Sequence, residues 1–219
     1  MCGRFSITMP DEAMARLFEA VPSNDLPEVP RYNVCPTQAV HTVVSEGGTR
    51  RLRPMRWGFL PHWYKTPTDG PLLINARAET VADKPAFRKA CRERRCLVPA
   101  TGFFEWTKDE DGKRLPWHIY RADNAPIAFA GIWQTWERGE DAFVTCAIVT
   151  TGANEAMKQI HHRMPVSIEP ADWSLWLGEA GTGAALLMQA PPDETFAFHR
   201  VDPAVNSNRA QGPQLLEPL

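Results

Sequence analysis

The 219-residue chain has no apolar run long enough to span a bilayer and no signal-peptide pattern at its N-terminus. A cytoplasmic protein with no membrane partner is therefore expected. It lacks a strong net charge: the formal value is −2, which gives no global basic signal for nucleic acid. It has no internal repeat, no low-complexity tract and no clear linker, so residues 1–219 are read as one domain. Its cysteines are few and odd in number (Cys2, Cys35, Cys91, Cys96 and Cys146), which argues against a disulfide framework. Cys91 and Cys96 have no second Cys/His pair nearby, and the adjacent His161 and His162 suit a shared metal poorly, so no metal or cofactor is expected. With 43% hydrophobic and 23% charged residues, a disordered chain, a coiled coil and a collagen-like fibre are excluded.

What is abundant is proline, with 20 residues, and tryptophan, with 8. The prolines imply many short elements, and some tryptophans exceed what a core of this size needs. Charge is also uneven. Residues 1–100 carry 15 Lys and Arg against 10 Asp and Glu, and the remainder carries 9 against 16. Such a split permits a basic face on a near-neutral protein, although ordinary surface charge explains it as well.

Alternation and turn residues predict a first strand over 3–8, then a helix over 9–20 opened by a Thr8–Asp11 capping box. A proline-rich loop over 21–36 follows. Residues 39–57 read as a hairpin turning at Gly47-Gly48. A short strand over 72–78, a basic helix over 83–95 and two short strands over 96–107 come next. Three long strands are expected over 115–121, 127–136 and 142–151, with short helices over 154–160, 170–178 and 184–189 and a closing strand over 196–201. Strands mostly follow strands without intervening helices. That pattern favours an α+β fold: a single compact domain with a mixed, mostly antiparallel, barrel-like sheet and peripheral helices.

Four clusters could carry chemistry. Removal of Met1 would make Cys2 the N-terminal residue, with an α-amine and a thiol on adjacent carbons. The amine, with an ordinary pKa of about 7.7–8.0, can condense with an aldehyde, and the thiol can then close a five-membered thiazolidine. By position alone, an accident of the second codon is the commoner explanation of Cys2. Asn75 and Arg77 lie two apart after an apolar strand and share one face. Glu105 sits among three aromatics in Gly102–Trp106, a setting that raises a carboxyl pKa, or else it simply faces solvent. His161 and Arg163 follow a short helix and can supply an acid/base and an anion contact, or be surface residues.

Together these segments resemble the SRAP family, the SOS-response-associated peptidase proteins. The shared motifs are Met1–Phe5, Arg31-Tyr32-Asn33-Val34-Cys35-Pro36, Trp57-Gly58, Asn75–Glu79, Phe104–Trp106 and His161–Pro165, in that order and spanning nearly the whole chain. The resemblance implies a mixed α+β domain around a barrel-like sheet. It implies a protein that senses abasic sites in single-stranded DNA and attaches covalently to them as a thiazolidine through Cys2. Its DNA would be the partner, with no obligate protein partner and a monomeric state.

By the same resemblance Cys2 is the nucleophile, Glu105 handles protons at its amine, His161 protonates the sugar ring oxygen, and Asn75 holds the cysteine and the opened sugar. Arg4, Arg77 and Arg163 would contact phosphates, which position a strand without reading its sequence. Trp63 and Tyr64, in the segment Pro61-His62-Trp63-Tyr64, would stack on bases beside the lesion. For Arg88 and Arg92 on the basic helix, a solvated face is the commoner explanation. Three other readings stay open: lyase chemistry by β-elimination from the imine, a cysteine peptidase built on Cys2, His161 and Glu105, and a non-covalent lesion binder.

Overall fold

A computed structural model describes residues 2–219, so Met1 and the expectation of its removal lie outside the described residues. The elements run β1 (Phe5–Ile7), α1 (Asp11–Leu17), β2 (Ala20–Pro22), β3 (Arg31–Val34), β4 (Ala39–Glu46), β5 (Thr49–Trp57) and β6 (Asn75–Arg77). They continue with α2 (Arg88–Glu93), β7 (Arg95–Ala100), β8 (Gly102–Lys108), β9 (Arg114–Arg121), β10 (Ile127–Arg138) and β11 (Asp141–Gly152). The last are α3 (Glu155–Lys158), β12 (Arg163–Pro165), α4 (Trp173–Leu177) and β13 (Phe196–Arg200). Among the described residues no helix is long and apolar enough to cross a membrane.

Five strands close on themselves. β5 pairs antiparallel with β4, β4 with β7, β7 with β10 and β10 with β11. β11 then returns to β5 in parallel, through Thr145–Arg56 and Cys146–Trp57. Closure leaves these five strands no free edge. A second, five-stranded sheet in the order β13-β9-β8-β1-β3 packs on this barrel. Aromatic rings join the two: Phe5 of β1 meets Trp57 at 5.1 Å and Phe129 at 6.1 Å between centroids, and Phe103 of β8 meets Phe129 at 5.8 Å. The far face of the second sheet carries Phe104, which is buried with Val201, Val205 and Leu215 of the C-terminal segment. The expected mixed, barrel-like α+β fold is therefore present.

Local differences from the sequence reading have local causes. Thr8 does not cap α1: the N-cap is Pro10, without a side-chain bond, and Asp11 accepts from Nε2 of His41 at 3.0 Å. The proline-rich loop contains β2 and β3. The basic helix shortens to α2 because Pro85 disfavours helical geometry at Lys84, so residues 79–87 run as turns. Residues 184–187 form a 3₁₀ turn, not an α-helix. The short helix at 154–160 is α3, where Asn154 Oδ1 accepts from the Met157 N–H at 3.0 Å.

Candidate active site

The site forms where the two sheets meet. The Phe104 N–H donates to the Arg4 carbonyl at 2.9 Å, so the β1–β8 pairing reaches past Phe5 toward the N-terminus. Cys2 lies two residues further on. Because β1 and β8 are antiparallel, continuing β1 toward Cys2 runs along β8 toward Glu105. Cys2 is fully buried, and burial, with the Glu105 charge second, pushes its thiol well above the usual range. Glu105 is 2% exposed and burial raises its carboxyl, an effect opposed in part by His162 and Arg114. Thiol and carboxyl thus each hold their proton more tightly than in water.

The histidines come from the turn between α3 and β12. After pairing with β10, β11 runs on to take β6 on one edge, through Ile148–Asn75 and Thr150–Arg77, and β12 on the other, through Gly152–Arg163. This places the Asn75 and Arg163 segments on either side of one strand. The Arg163 N–H donates to His161 Nδ1 at 3.0 Å. The same Nδ1 lies 3.1 Å from the Arg163 carbonyl, so the backbone of Arg163 holds the ring through this nitrogen in either tautomer. His161 and His162 stack with centroids 4.4 Å apart. Burial lowers the His161 pKa, and the neighbouring His161 lowers that of the exposed His162, so both rings favour the neutral form. Asn75 Nδ2 donates to the Ile148 carbonyl at 3.4 Å, and its buried Oδ1 has no hydrogen-bond partner among the described residues.

The expected DNA-contacting residues divide. Arg77 is exposed, and Trp63 is 45% exposed, edge-on to His62. Tyr64 is a correction: it is 7% exposed, its hydroxyl donates to the Pro71 carbonyl at 3.1 Å, and its ring packs with Leu60 and Trp136, so it offers no stacking face. Arg163 is a second correction. Its guanidinium forms a fork on Glu79 at 2.7 and 3.0 Å and also donates to the Thr150 carbonyl at 2.7 Å, which leaves no free cation for a phosphate. Arg4 is half-buried, with Nη1 spent on Asn33 Oδ1 at 2.8 Å and the Val205 carbonyl at 2.9 Å. Of the three arginines only Arg77 stands open.

Glu79, Asn33 and Trp57 received no role from the sequence, although each lies in a shared motif. Glu79 fixes Arg163. Trp57 Nε1 donates to the Ile74 carbonyl at 3.0 Å and so ties the barrel to the residue before Asn75. Gly58, at φ +141°, permits the turn that follows: a Cβ there would stand 2.7 Å from Arg56 Nη1. His162 was also missed; adjacency to His161 was its only signal. Among the described residues no group of three or more His, Cys, Asp or Glu is placed to hold a metal ion.

A closed mixed barrel of this kind, here with Cys2 buried close to the buried Glu105, recurs as a fold among known chains. The chain belongs to the SOS response associated peptidase (SRAP) family, whose profile matches residues 1–208. Relatives include the abasic site processing protein YoqW of Bacillus subtilis, 36% identical over 225 residues and covering 99% of each chain. YedK of Escherichia coli, also named an abasic site processing protein, is 35% identical over 228 residues and covers 100% of both. The abasic site processing protein HMCES of Mus musculus is 29% identical over 269 residues, covering all of this chain and 76% of that relative. In structure, a Bacteroides thetaiotaomicron protein superposes with a TM-score of 0.86 at 24% identity over the full length of both. A phage-related protein of Bordetella bronchiseptica superposes at 0.71 with 28% identity, over 91% of this chain and 94% of that one.

Proposed function

We propose that the protein senses abasic sites in single-stranded DNA and forms a covalent thiazolidine crosslink to them through Cys2, shielding the lesion. The names of its relatives support abasic-site processing. The observation that carries the covalent chemistry is the burial of Cys2 against Glu105, with thiol and carboxyl both shifted up.

Once Met1 is removed, the Cys2 amine attacks C1′ of the ring-opened sugar, giving a carbinolamine. His161 donates a proton to the ring oxygen as the sugar opens. The carbinolamine expels its hydroxyl as water, with Glu105 supplying the proton, and the iminium returns its N–H proton to the Glu105 carboxylate, leaving an imine. The thiol then adds across the C=N bond: sulfur bonds to C1′, and Glu105 gives its carboxyl proton to nitrogen and takes up the thiol proton in exchange. One water is lost overall. The Asn75 amide holds the opened sugar. Arg77 meets a phosphate, and Trp63 stacks beside the lesion. The chain acts as one domain, 1–219.

Lyase cleavage branches from the same imine, by loss of the 3′ phosphate before the thiol closes. A general cysteine peptidase fits less well. Such enzymes use a thiolate beside an imidazolium, with the thiol pKa lowered. Here the thiol is raised and both imidazoles are lowered.

The test is incubation of the mature protein with single-stranded DNA bearing one abasic site, followed by a denaturing gel. A heat-stable adduct, absent with intact DNA and absent when Met1 is retained, is the expected result. Cys2→Ser should leave only a borohydride-trappable imine. Full activity in protein shown by mass spectrometry to keep Met1 would overturn the mechanism.

A further inference from the structure

We propose that Asn33 and the C-terminal segment 201–219 are positioning elements for the terminal nucleophile, acting on Cys2 through Arg4 and on Glu105 through Trp106. The inference rests on the reading of Cys2 as nucleophile given above.

A nucleophile at the end of a chain has no covalent restraint on one side, and here the residue after it is Gly3, which permits wide backbone freedom. The first residue able to anchor the arm by its side chain is Arg4. Its Nη1 donates to Asn33 Oδ1 at 2.8 Å and to the Val205 carbonyl at 2.9 Å. Asn33 is fully buried, and its Nδ2 donates to the carbonyls of Ser207 at 2.9 Å and Ala210 at 3.0 Å. Both protons of the amide and its oxygen are therefore used. An aspartate could accept from Arg4 but would set its second oxygen against two carbonyls.

The same stretch of the C-terminal segment also holds the strand that bears Glu105. Trp106 Nε1 donates to Asn206 Oδ1 at 2.6 Å, and the Arg4 guanidinium lies 6.0 Å from the Trp106 ring centroid. Residues 205–210 thus grip the arm of Cys2 and the neighbour of Glu105 at once. They are seated firmly enough to serve as a reference: Val205 and Leu215 are fully buried against Phe104, and the Leu219 N–H donates to the Arg200 carbonyl at 3.0 Å. Displacement of a reacting group by about 1 Å costs on the order of 10²-fold in rate. Loss of this grip should appear in the chemical step and not in DNA affinity.

The experiment compares wild type, Asn33→Leu and Asn206→Leu. Single-turnover adduct formation is followed at saturating abasic single-stranded DNA. Affinity is measured separately on single-stranded DNA carrying a tetrahydrofuran lesion, which has no aldehyde to react. Thermal unfolding reports folding. Asn33→Leu should slow the saturated rate on the order of 10²-fold. Asn206→Leu, changed at an exposed residue that leaves the core intact, should slow it less, and both should hold tetrahydrofuran DNA within twofold of wild type. If Asn33→Leu fails to fold, Asn206→Leu alone decides. An unchanged saturated rate in a folded variant overturns the proposal, as does a loss explained wholly by weaker affinity. No adduct from wild type would instead overturn the underlying reading of Cys2.

Discussion

Replacing Glu105 by glutamine should weaken the reaction and strengthen the fold, and the two effects should share one titration. Glu105 is 2% exposed, and burial raises its pKa above that of the unfolded chain. Below the unfolded value the carboxyl is neutral in both states and costs nothing. As pH rises through the folded value, the native state must hold a buried anion and stability falls, by about 1.4 kcal/mol for each unit of difference. Glutamine carries no such penalty. The melting temperature of Glu105→Gln should therefore stand above that of wild type at neutral pH, by about 2–4 °C per kcal/mol for a chain of this size. The gap should close toward acid.

Crosslinking should move the other way. General acid–base help is typically worth about 10²–10⁴ in rate, or about 3–5 kcal/mol of barrier. Glu105→Gln should lose a factor in that range at neutral pH and recover part of it at alkaline pH, where the amine is free without assistance. The wild-type rate should rise with pH along a limb lying above the ordinary carboxylate range. The assay is adduct formation on abasic single-stranded DNA at several pH values, paired with thermal unfolding in the same buffers. A rate unaffected by the substitution, or a melting difference that does not change with pH, would refute the assignment of Glu105 as a buried proton carrier.

Arg77→Ala should weaken single-stranded DNA binding and flatten the log–log salt dependence by about 0.7, whereas Arg163→Ala should leave that slope unchanged; titrations at several salt concentrations check both. Glu79→Gln should slow crosslinking by less than His161→Ala does, because it loosens Arg163, which only orients the imidazole; adduct time courses compare them. Trp63→Ala should cost about 1–3 kcal/mol of DNA affinity with little change in melting, and Tyr64→Ala should do the reverse, a contrast read by binding and thermal unfolding together. Gly102→Ala should destabilise the second sheet, since a Cβ there would stand 2.2 Å from His118 Nε2 and 2.8 Å from the Ile119 carbonyl; lowered melting reports it.

The parts of the fold legible in the sequence are those encoded locally. The hairpin of β4 and β5 is read correctly because alternation and Gly47-Gly48 specify it within 19 residues. The barrel closure is not, because it rests on two parallel pairs, Thr145–Arg56 and Cys146–Trp57, joining segments about 90 residues apart. Nor is β12, three residues whose strand geometry comes from the edge of β11 that they occupy. Tyr64 and Trp63 are adjacent aromatics of similar character. Only the packing of Trp136 and the Pro71 carbonyl makes one of them core and leaves the other exposed.

A sequence shows that a cation is present but not what neutralises it, and this limits the site reading in a regular way. Arg4, Arg77 and Arg163 look alike in sequence as candidate phosphate contacts. In the fold, Arg4 meets Asn33 and Arg163 meets Glu79, and each partner lies in another of the shared motifs. Trp57 likewise reaches back to Ile74, next to Asn75, and Phe104 reaches back to Arg4. The motifs are therefore tied to one another in pairs across the chain. In each pair one member supports the segment that carries a residue given a role in the proposed reaction: Cys2, Asn75, Glu105 or His161. An arginine inside a motif that also contributes a fixed partner elsewhere is better read as a strut than as a phosphate contact. By that criterion Arg77, which has no such partner among the hydrogen bonds and ion pairs of the described residues, is the one to mutate first when seeking the DNA path.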